Sequence, residues 1–251
     1  MAKPISLDPG QARSLPRFHV PQGLALTSGA EIRLPERAAR HVAVLRLRSG
    51  DAISLFDGSG GEFEAQLTAL ERGRTTARIG RRNEVERESP LNITLAQCIS
   101  GGDRMDLALQ KATELGVAAI MPLESERSVV RLSAERAERK LEHWRNIVIA
   151  ACEQCGRNRV PPVHAPQELH AWLAGSGASA ATLRLMLSPL ATQSLMDLKP
   201  APEGITLLAG PEGGLAPHEA QAALRAGFTA VRLGPRVLRT ETAPLAALAA
   251  L

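Results

Sequence analysis

The chain has 251 residues, enough for one or two domains, and 44% of them are hydrophobic, which supports a substantial core and argues against intrinsic disorder. The formal net charge of +4 fits an ordinary soluble protein and also one whose partner carries phosphates. Aromatic residues make up only 2%, without tyrosine, so we do not expect RNA to be bound by base stacking. No apolar run approaches the ~20 residues of a membrane span, and we expect no membrane partner.

The first part of the chain, up to residue 82, is predicted to be a small and mostly β domain. Alternating apolar and polar residues predict three strands, 52–56, 62–67 and 75–79. One helix is predicted between Pro35 and Leu47, because Ala38, Val42 and Leu45 recur at helical spacing there.

The charged stretch 83–90 has little to bury and is predicted to be a linker to a second domain, residues 91–251. Strands and helices alternate after it, which favours an α/β fold with a mostly parallel sheet covered by helices. The predicted strands are 92–97, 117–123, 183–187, 205–209 and 230–233, and the predicted helices are 104–115, 133–154, 217–226 and 242–251. The final helix ends without a polar cap, which leaves open a native chain that continues beyond residue 251.

The three cysteines, Cys98, Cys152 and Cys155, indicate a reducing compartment. An odd number without a signal-peptide pattern predicts a cytoplasmic protein. Cys152 and Cys155 form a C-x-x-C pair at the end of a helical pattern, but no second pair accompanies them. Because a tetrahedral zinc site needs about four ligands, we expect neither zinc nor redox chemistry here and no metal.

Two glycine-proline loops carry the most functional information. Residues 207–215 have the sequence LLAGPEGGL, and residues 233–243 have the sequence LGPRVLRTETA. Each follows a predicted strand, and ligands of open α/β sheets bind at the carboxyl ends of strands. Glycine lets main-chain groups approach a ligand and proline fixes the loop beforehand. Neither loop is a Rossmann fingerprint or a P-loop. Either alone would fit a tight turn, but two such loops favour a ligand site.

These loops resemble those of the RsmE family, which methylates N3 of a uridine in small-subunit (16S) ribosomal RNA. Residues 110–117 (QKATELGV), 125–127 (SER) and 150–161 (AACEQCGRNRVP) support the resemblance, and residues 41–63 look like the family's N-terminal PUA-like barrel. The glycine-proline loops alone would indicate only the wider SPOUT class. The Cys-Glu-Gln-Cys-Gly-Arg-Asn-Arg segment is much more specific to the family.

The resemblance implies a SPOUT methyltransferase domain whose C-terminal trefoil knot, an exception to the rule that chains avoid knots, binds S-adenosylmethionine (AdoMet). It also implies a PUA-like β-barrel that binds RNA, a homodimer, and 16S rRNA within the small ribosomal subunit as the partner. The implied cofactor-binding residues are Leu187, Ser188, Pro189, Leu208, Ala209, Gly210, Pro211, Glu212, Gly213, Gly214, Leu233, Gly234, Pro235, Val237, Leu238, Arg239, Thr240, Thr242 and Ala243.

The chemistry of uridine N3 suggests which side chains act on the base. Its proton is only weakly acidic, while the methyl donor is already an activated sulfonium, so position and charge matter most. Arg236 and Arg239 are candidates for stabilising the uracil anion, because their loop adjoins the cofactor loop. Glu114 and Glu241 are both candidates for accepting the proton, and the sequence leaves that choice open. Glu241 fits equally well as a carboxylate at a helix N-terminus.

The predicted RNA contacts are basic residues from both domains: Arg17, Arg46, Arg104, Lys111, Arg127, Arg157 and Arg159. Arg157 and Arg159 lie in a polar loop after a helix, where paired arginines can clamp phosphates. Arg104 and Lys111 share a helix face, which a solvated surface explains equally well.

A second basic patch is expected on the N-terminal domain, where Arg13, His19 and Arg48 accompany Arg17 and Arg46. Ordinary surface charge explains this patch as well as RNA binding does. Two other functions also stay open at this point. One is a SPOUT methyltransferase acting on another RNA site, such as a tRNA ribose, and the other is a non-catalytic RNA-binding dimer.

Overall fold

The structure is a computed structural model that describes residues 15–71, 74–175, 183–198 and 204–251. The chain divides into two units between Glu86 and Arg87. Strand pairing in the first unit ends at Asn83, and Arg87 already belongs to the second, where its Nη1 donates to the carbonyl oxygen of Gly156 at 2.9 Å. The residues between the last strand of the first unit and the first strand of the second are therefore 84–92, and the second unit begins within them.

The first unit is a five-stranded sheet with one helix. Its elements are β1 (Arg17–His19), β2 (Glu31–Arg33), α1 (Glu36–Val44), β3 (Ala52–Phe56), β4 (Glu62–Glu71) and β5 (Arg74–Asn83). The strand order is β1-β3-β4-β5-β2; β1 runs parallel to β3 and the other pairs are antiparallel. Phe18, Val42, Ile53 and Leu55 are fully buried in its core, so α1 closes one face of the sheet.

The second unit contains a six-stranded sheet in which every pair is parallel. Its strands are β6 (Ile93–Cys98), β7 (Ala119–Glu124), β8 (Gln167–Glu168), β9 (Leu183–Leu187), β10 (Ile205–Ala209) and β11 (Thr229–Val231), in the order β11-β9-β10-β6-β7-β8. The predicted α/β class with a parallel sheet is confirmed.

Helices cover both faces of this sheet. They are α2 (Asp103–Glu114), α3 (Ala134–Cys155), α4 (Leu169–Gly175), α5 (Pro217–Arg225) and α6 (Thr242–Ala250). Successive strand residues point to opposite faces: Leu207 packs in a core with residues of α2, α3 and α6, and Leu208 packs in a core with residues of α4 and α5. Strands buried on both faces must be apolar throughout, which explains why β9 and β10 were predicted at their observed bounds.

The connections leave a crevice at one place in the sheet. From β6 the chain moves to β7 on one side, whereas from β10 it moves past β9 to β11 on the other. Connections of neighbouring strands that diverge in this way open a crevice at their carboxyl ends, where ligands of such sheets bind. None of the helices described is long and apolar enough to cross a membrane.

Candidate functional site

A cleft of about 920 Å³ opens at the carboxyl ends of β9, β10 and β11. Its lining includes residues 186–190, 209–215, 231–234 and 236–241, together with Ala243. The structure therefore brings together the three loops that the sequence predicted to hold a cofactor. Leu208, Pro235 and Thr242 lie outside this lining. Leu208 is fully buried beneath it, because its side chain points into the core.

Thr240 holds two of these loops together. Its Oγ1 donates to the carbonyl oxygen of Gly210 at 2.7 Å, which joins the loop after β11 to the loop after β10. The same oxygen accepts from Nε2 of Gln97 at 3.4 Å and lies 3.3 Å from the hydroxyl of Ser100. One hydroxyl thus fixes the last loop against the ends of both central strands, β10 and β6.

Glu212 anchors the loop after β10 to the start of α2. Its Oε1 accepts hydrogen bonds from the backbone N–H of Gly101 and from Nη1 of Arg104, each at 2.9 Å. Burial acts to raise the pKa of Glu212, but the hydrogen bonds from its own backbone N–H, from Gly101 and from Arg104 outweigh burial and hold that pKa below its ordinary value of 4.5. The carboxylate is therefore ionised near neutral pH, and Arg104 is its partner.

The segment after β7 supports the same loop from the other side. Nη1 of Arg127 donates to the carbonyl oxygen of Gly213 at 3.0 Å. Buried Glu219 accepts from the backbone N–H of Glu126 at 2.7 Å and from that of Ala216 at 2.8 Å. Sequence reasoning missed Glu219; its place three residues after Ala216, at the start of α5, is the usual position for a carboxylate that caps a helix.

The lining of the cleft is predominantly positive. Its charged residues are Arg104, Arg127, Arg232, Arg236, Arg239, Glu212 and Glu241. Arg236 and Arg239 are exposed at the cleft and have no ion-pair partner among the residues described. Glu241 is only 9% exposed, and within the described part of the chain its Oε2 has no hydrogen-bond partner. A buried acceptor without a partner is costly, so this oxygen lacks a hydrogen bond that a donor group of a ligand could supply.

Glu114 is not among the residues that line the cleft. It ends α2, about 15 Å along the helix axis from Arg104, which meets Glu212, given 1.5 Å per residue. There its Oε1 accepts from Nζ of Lys111 at 2.8 Å. Of the two carboxylates predicted as proton acceptors, the structure therefore brings only Glu241 to the cleft of its own chain.

The prediction that Arg157 clamps a phosphate is wrong. The residue is 4% exposed, and its Nη1 donates to the carbonyl oxygens of Thr113 at 2.9 Å and Val117 at 3.0 Å. Its Nε donates to both carboxylate oxygens of Glu88 at 3.1 Å. Arg157 therefore satisfies carbonyls left at the end of α2. Its neighbour Arg159 is exposed, and its RNA contact stays a prediction.

Arg17 also differs from its prediction as an RNA contact. Its side chain is only 8% exposed, pairs with Glu62 and lies over the ring of Phe56, 4.9 Å from the centroid. A guanidinium enclosed in this way does not present itself to phosphates, so that prediction is wrong. Arg46 and Arg48 are exposed and remain predicted contacts, whereas Arg13 lies outside the described residues.

The cysteines are free thiols, and Cys98 and Cys152 are buried. Burial raises the pKa of the Cys98 thiol to about 12, with a hydrogen bond to Ser125 partly opposing it. The thiol of Cys152 donates to the carbonyl oxygen of Arg159 at 3.7 Å. Within the described ranges, no group of three or more His, Cys, Asp or Glu side chains could hold a metal ion.

Known proteins share both the sequence and the architecture. A family model of the RNA methyltransferase domain matches residues 87–251, and one of the RNA methyltransferase PUA domain matches residues 34–80. The crystal structure of ribosomal RNA small subunit methyltransferase E from Neisseria gonorrhoeae, bound to S-adenosyl methionine, is 48% identical. It covers 94% of this chain and 96% of its own, with a TM-score of 0.89.

The fold, the cleft and these matches define the class of the protein as an RNA methyltransferase. Ribosomal RNA small subunit methyltransferases E from Buchnera aphidicola (Schizaphis graminum) and Bacillus subtilis are 35% and 32% identical, over 83% and 84% of this chain and 84% of each relative. The chain belongs to the ribosomal RNA small subunit methyltransferase E family, as the resemblance in its motifs indicated.

Proposed function

We propose that the protein transfers the methyl group of AdoMet to N3 of a uridine in 16S rRNA of the small ribosomal subunit. The observation that carries this proposal is the cleft in which the hydrogen bond from Thr240 to Gly210 joins two glycine-proline loops. Its volume of about 920 Å³ lies within the ~300–1,000 Å³ typical of cofactor sites. The relative from Neisseria gonorrhoeae, of the same family, binds S-adenosyl methionine.

The residues of the cleft fit AdoMet. Loops 209–214 and 233–240 would hold it, and Gly210 and Gly234 leave main-chain N–H and C=O groups accessible to its polar edges. Ionised Glu212 compensates a cationic ligand, while the arginines suit its carboxylate. When bound, AdoMet supplies a methyl group on a sulfonium. No metal is needed for that chemistry.

In the proposed mechanism, Arg236 and Arg239 orient the uracil and stabilise the negative charge that develops on its carbonyl oxygens when N3 loses its proton. Both side chains are exposed at the cleft without an ion-pair partner in the described part of the chain, so their charge is available. Glu241 accepts the N3 proton, directly or through one water. The new bond joins N3 to the methyl carbon as the carbon–sulfur bond breaks, and the sulfur keeps that electron pair.

Glu241→Gln is expected to lower kcat by about 100-fold, because general-base catalysis contributes at least that much, while AdoMet affinity changes little. The matched control is Glu114→Gln, the carboxylate that lies outside the cleft lining and pairs with Lys111. It should retain kcat within about threefold. Single-turnover rates across pH measure both variants. A large loss of kcat in Glu114→Gln, with wild-type rates in Glu241→Gln, would reverse the assignment.

The function itself is tested with tritiated AdoMet and small ribosomal subunits that lack the modification. We expect label on N3 of one uridine of 16S rRNA, located by mass mapping of nuclease fragments. Label on a tRNA ribose, or AdoMet binding without transfer to any RNA, would overturn the proposal in favour of another methyltransferase or a non-catalytic RNA-binding protein.

We further propose that the C-terminal segment is threaded as a trefoil knot. After β11, Arg232 exchanges backbone hydrogen bonds of 3.0 Å with Gln193 and Leu195 of the loop that follows β9. The chain then crosses to Gly210 and Gln97 at the centre of the sheet before it enters α6. These contacts support passage of the segment through that loop. A crystal structure in which it passes outside the loop would overturn the proposal.

A homodimer is proposed from the exposed apolar side chains at the cleft. Leu190 is 91% exposed and Val237 is 81% exposed, and both line it. A second copy of the chain would cover them and narrow the cleft around its ligand. Sedimentation velocity at micromolar concentration should give twice the mass of the chain.

Residues 1–82 are proposed as the RNA-binding domain, 83–90 as the linker and 91–251 as the catalytic domain.

A further inference from the structure

In the first turns of α3, basic and acidic side chains lie on different faces of the helix. The basic side chains are Arg136, Arg139, Lys140 and His143, and the acidic side chains are Glu135, Glu138 and Glu142. At 100° per residue the basic set falls within an arc of about 100°, and the acidic set lies on another side of the helix. All of these side chains are exposed.

The basic face lines a groove of about 440 Å³ with Val130, Arg131 and Leu132 of the preceding segment. Two of its basic side chains have acidic neighbours: Nη1 of Arg139 lies 3.3 Å from Oε1 of Glu135, and Nε2 of His143 lies 2.7 Å from Oδ2 of Asp106. Arg136 and Lys140 have neither an ion-pair nor a hydrogen-bond partner among the described residues. The groove therefore presents uncompensated positive charge.

This arrangement is locally unfavourable for the helix. Arg136 and Lys140 are separated by four residues, and like charges at that spacing destabilise a helix. Charges placed only for helix stability would alternate in sign along each face. A local rule that is broken without a local gain is a sign of function, and here the gain would come from an anionic partner.

The groove lies next to the cleft along the chain. Arg127 lines the cleft and Arg131 lines the groove. Four residues span at most about 14 Å even when fully extended. The intervening turn is also held in place, because Nη2 of Arg131 donates to the carbonyl oxygen of Glu126 at 3.0 Å. An RNA strand with one base in the cleft can therefore extend across the groove.

We propose that this α3 groove binds the phosphate backbone of the RNA substrate outside the cleft. The identity of the RNA rests on the proposed function; the groove itself rests on the charges of α3. Its described lining consists of basic and aliphatic side chains, with no Phe, Tyr or Trp for stacking on bases. Such a surface contacts phosphates and positions the strand without reading its sequence.

The test compares Lys140→Glu with Arg225→Glu, an equal change of charge at an exposed position at the end of α5. Fluorescence anisotropy measures binding of a labelled 16S rRNA oligonucleotide and of an unrelated RNA of the same length, each across a salt series. We expect Lys140→Glu to weaken both by about 5- to 20-fold and to reduce the salt slope by roughly 0.7–0.9 for each phosphate that the protein no longer neutralises. Arg225→Glu should stay within twofold, and AdoMet affinity, measured by calorimetry, should be unchanged in both.

Equal losses in the two variants would show a general effect of net charge, and wild-type affinity in Lys140→Glu would show that RNA does not use the groove; either result overturns the proposal. A changed sedimentation coefficient in Lys140→Glu with unchanged RNA affinity would make the groove a contact between copies of the chain, which overturns it as well. These outcomes are separate from failure of the proposed function, because binding is measured without methyl transfer.

Discussion

Gly210→Val is expected to abolish detectable AdoMet binding. A Cβ at this position would lie 3.2 Å from the backbone nitrogen of Leu215 and 3.4 Å from two backbone atoms of Gly214. These are main-chain atoms of the same loop, which cannot rotate away as a side chain can. The branched side chain would force the loop open, and the hydrogen bond from Thr240 to the Gly210 carbonyl would break with it.

Gly213→Ala is the control for this prediction. A Cβ at Gly213 meets only the Arg127 side chain, whose nearest atom is at 3.4 Å, an ordinary contact. Isothermal calorimetry with AdoMet should therefore give near wild-type affinity for Gly213→Ala, an intermediate loss of about tenfold for Gly210→Ala, and no heat for Gly210→Val. Circular dichroism establishes that each variant is folded. Wild-type affinity in a folded Gly210→Val protein would place the cofactor elsewhere.

Local sequence patterns predicted those helices and strands in which buried residues recur regularly along the sequence. The continuous apolar runs of β9 and β10 and the helical spacing of α1 were recognised because burial repeats at a fixed period there. The strands β1, β2 and β8 have only two or three residues each, too few to show a period. They form because neighbouring strands offer hydrogen bonds to their backbones, and this pairing cannot be seen in the local sequence.

The same distinction explains why the loops that line the cleft could be picked out from the sequence while the burial of two arginines could not. The glycine-proline loops were identified because a loop whose main chain must come close to a ligand needs glycine and proline, and these residue types can be seen in the sequence. Whether an arginine is free depends instead on partners far along the chain. Arg17 meets Glu62, and Arg157 meets Glu88, 69 positions away. A polar loop after a helix looks the same in sequence whether its arginine faces solvent or is buried against a distant carboxylate.

Arg157→Met is expected to lower the free energy of unfolding by about 3 kcal/mol, the lower end of the usual cost of breaking a buried ion pair on one side, because the Glu88 side chain is 23% exposed. The substitution leaves the carbonyl oxygens of Thr113 and Val117 without their donor and leaves Glu88 without its guanidinium partner. Methionine fills part of the space, so a cavity adds little to the loss. Urea denaturation followed by circular dichroism measures the change.

Arg159→Met, two residues away, tests whether this loss comes from burial or from any removal of positive charge in the loop. Its side chain is exposed, so it should cost less than about 1 kcal/mol. For RNA affinity we expect the opposite order, with the larger loss in Arg159→Met and the smaller loss in Arg157→Met. Folded Arg157→Met at low temperature should keep the wild-type dependence of RNA affinity on salt, because the guanidinium of a residue that is 4% exposed releases no counterion from RNA. A shallower salt slope in Arg157→Met, with stability unchanged, would show that the loop opens to RNA and that the ion pair with Glu88 is not what holds it closed.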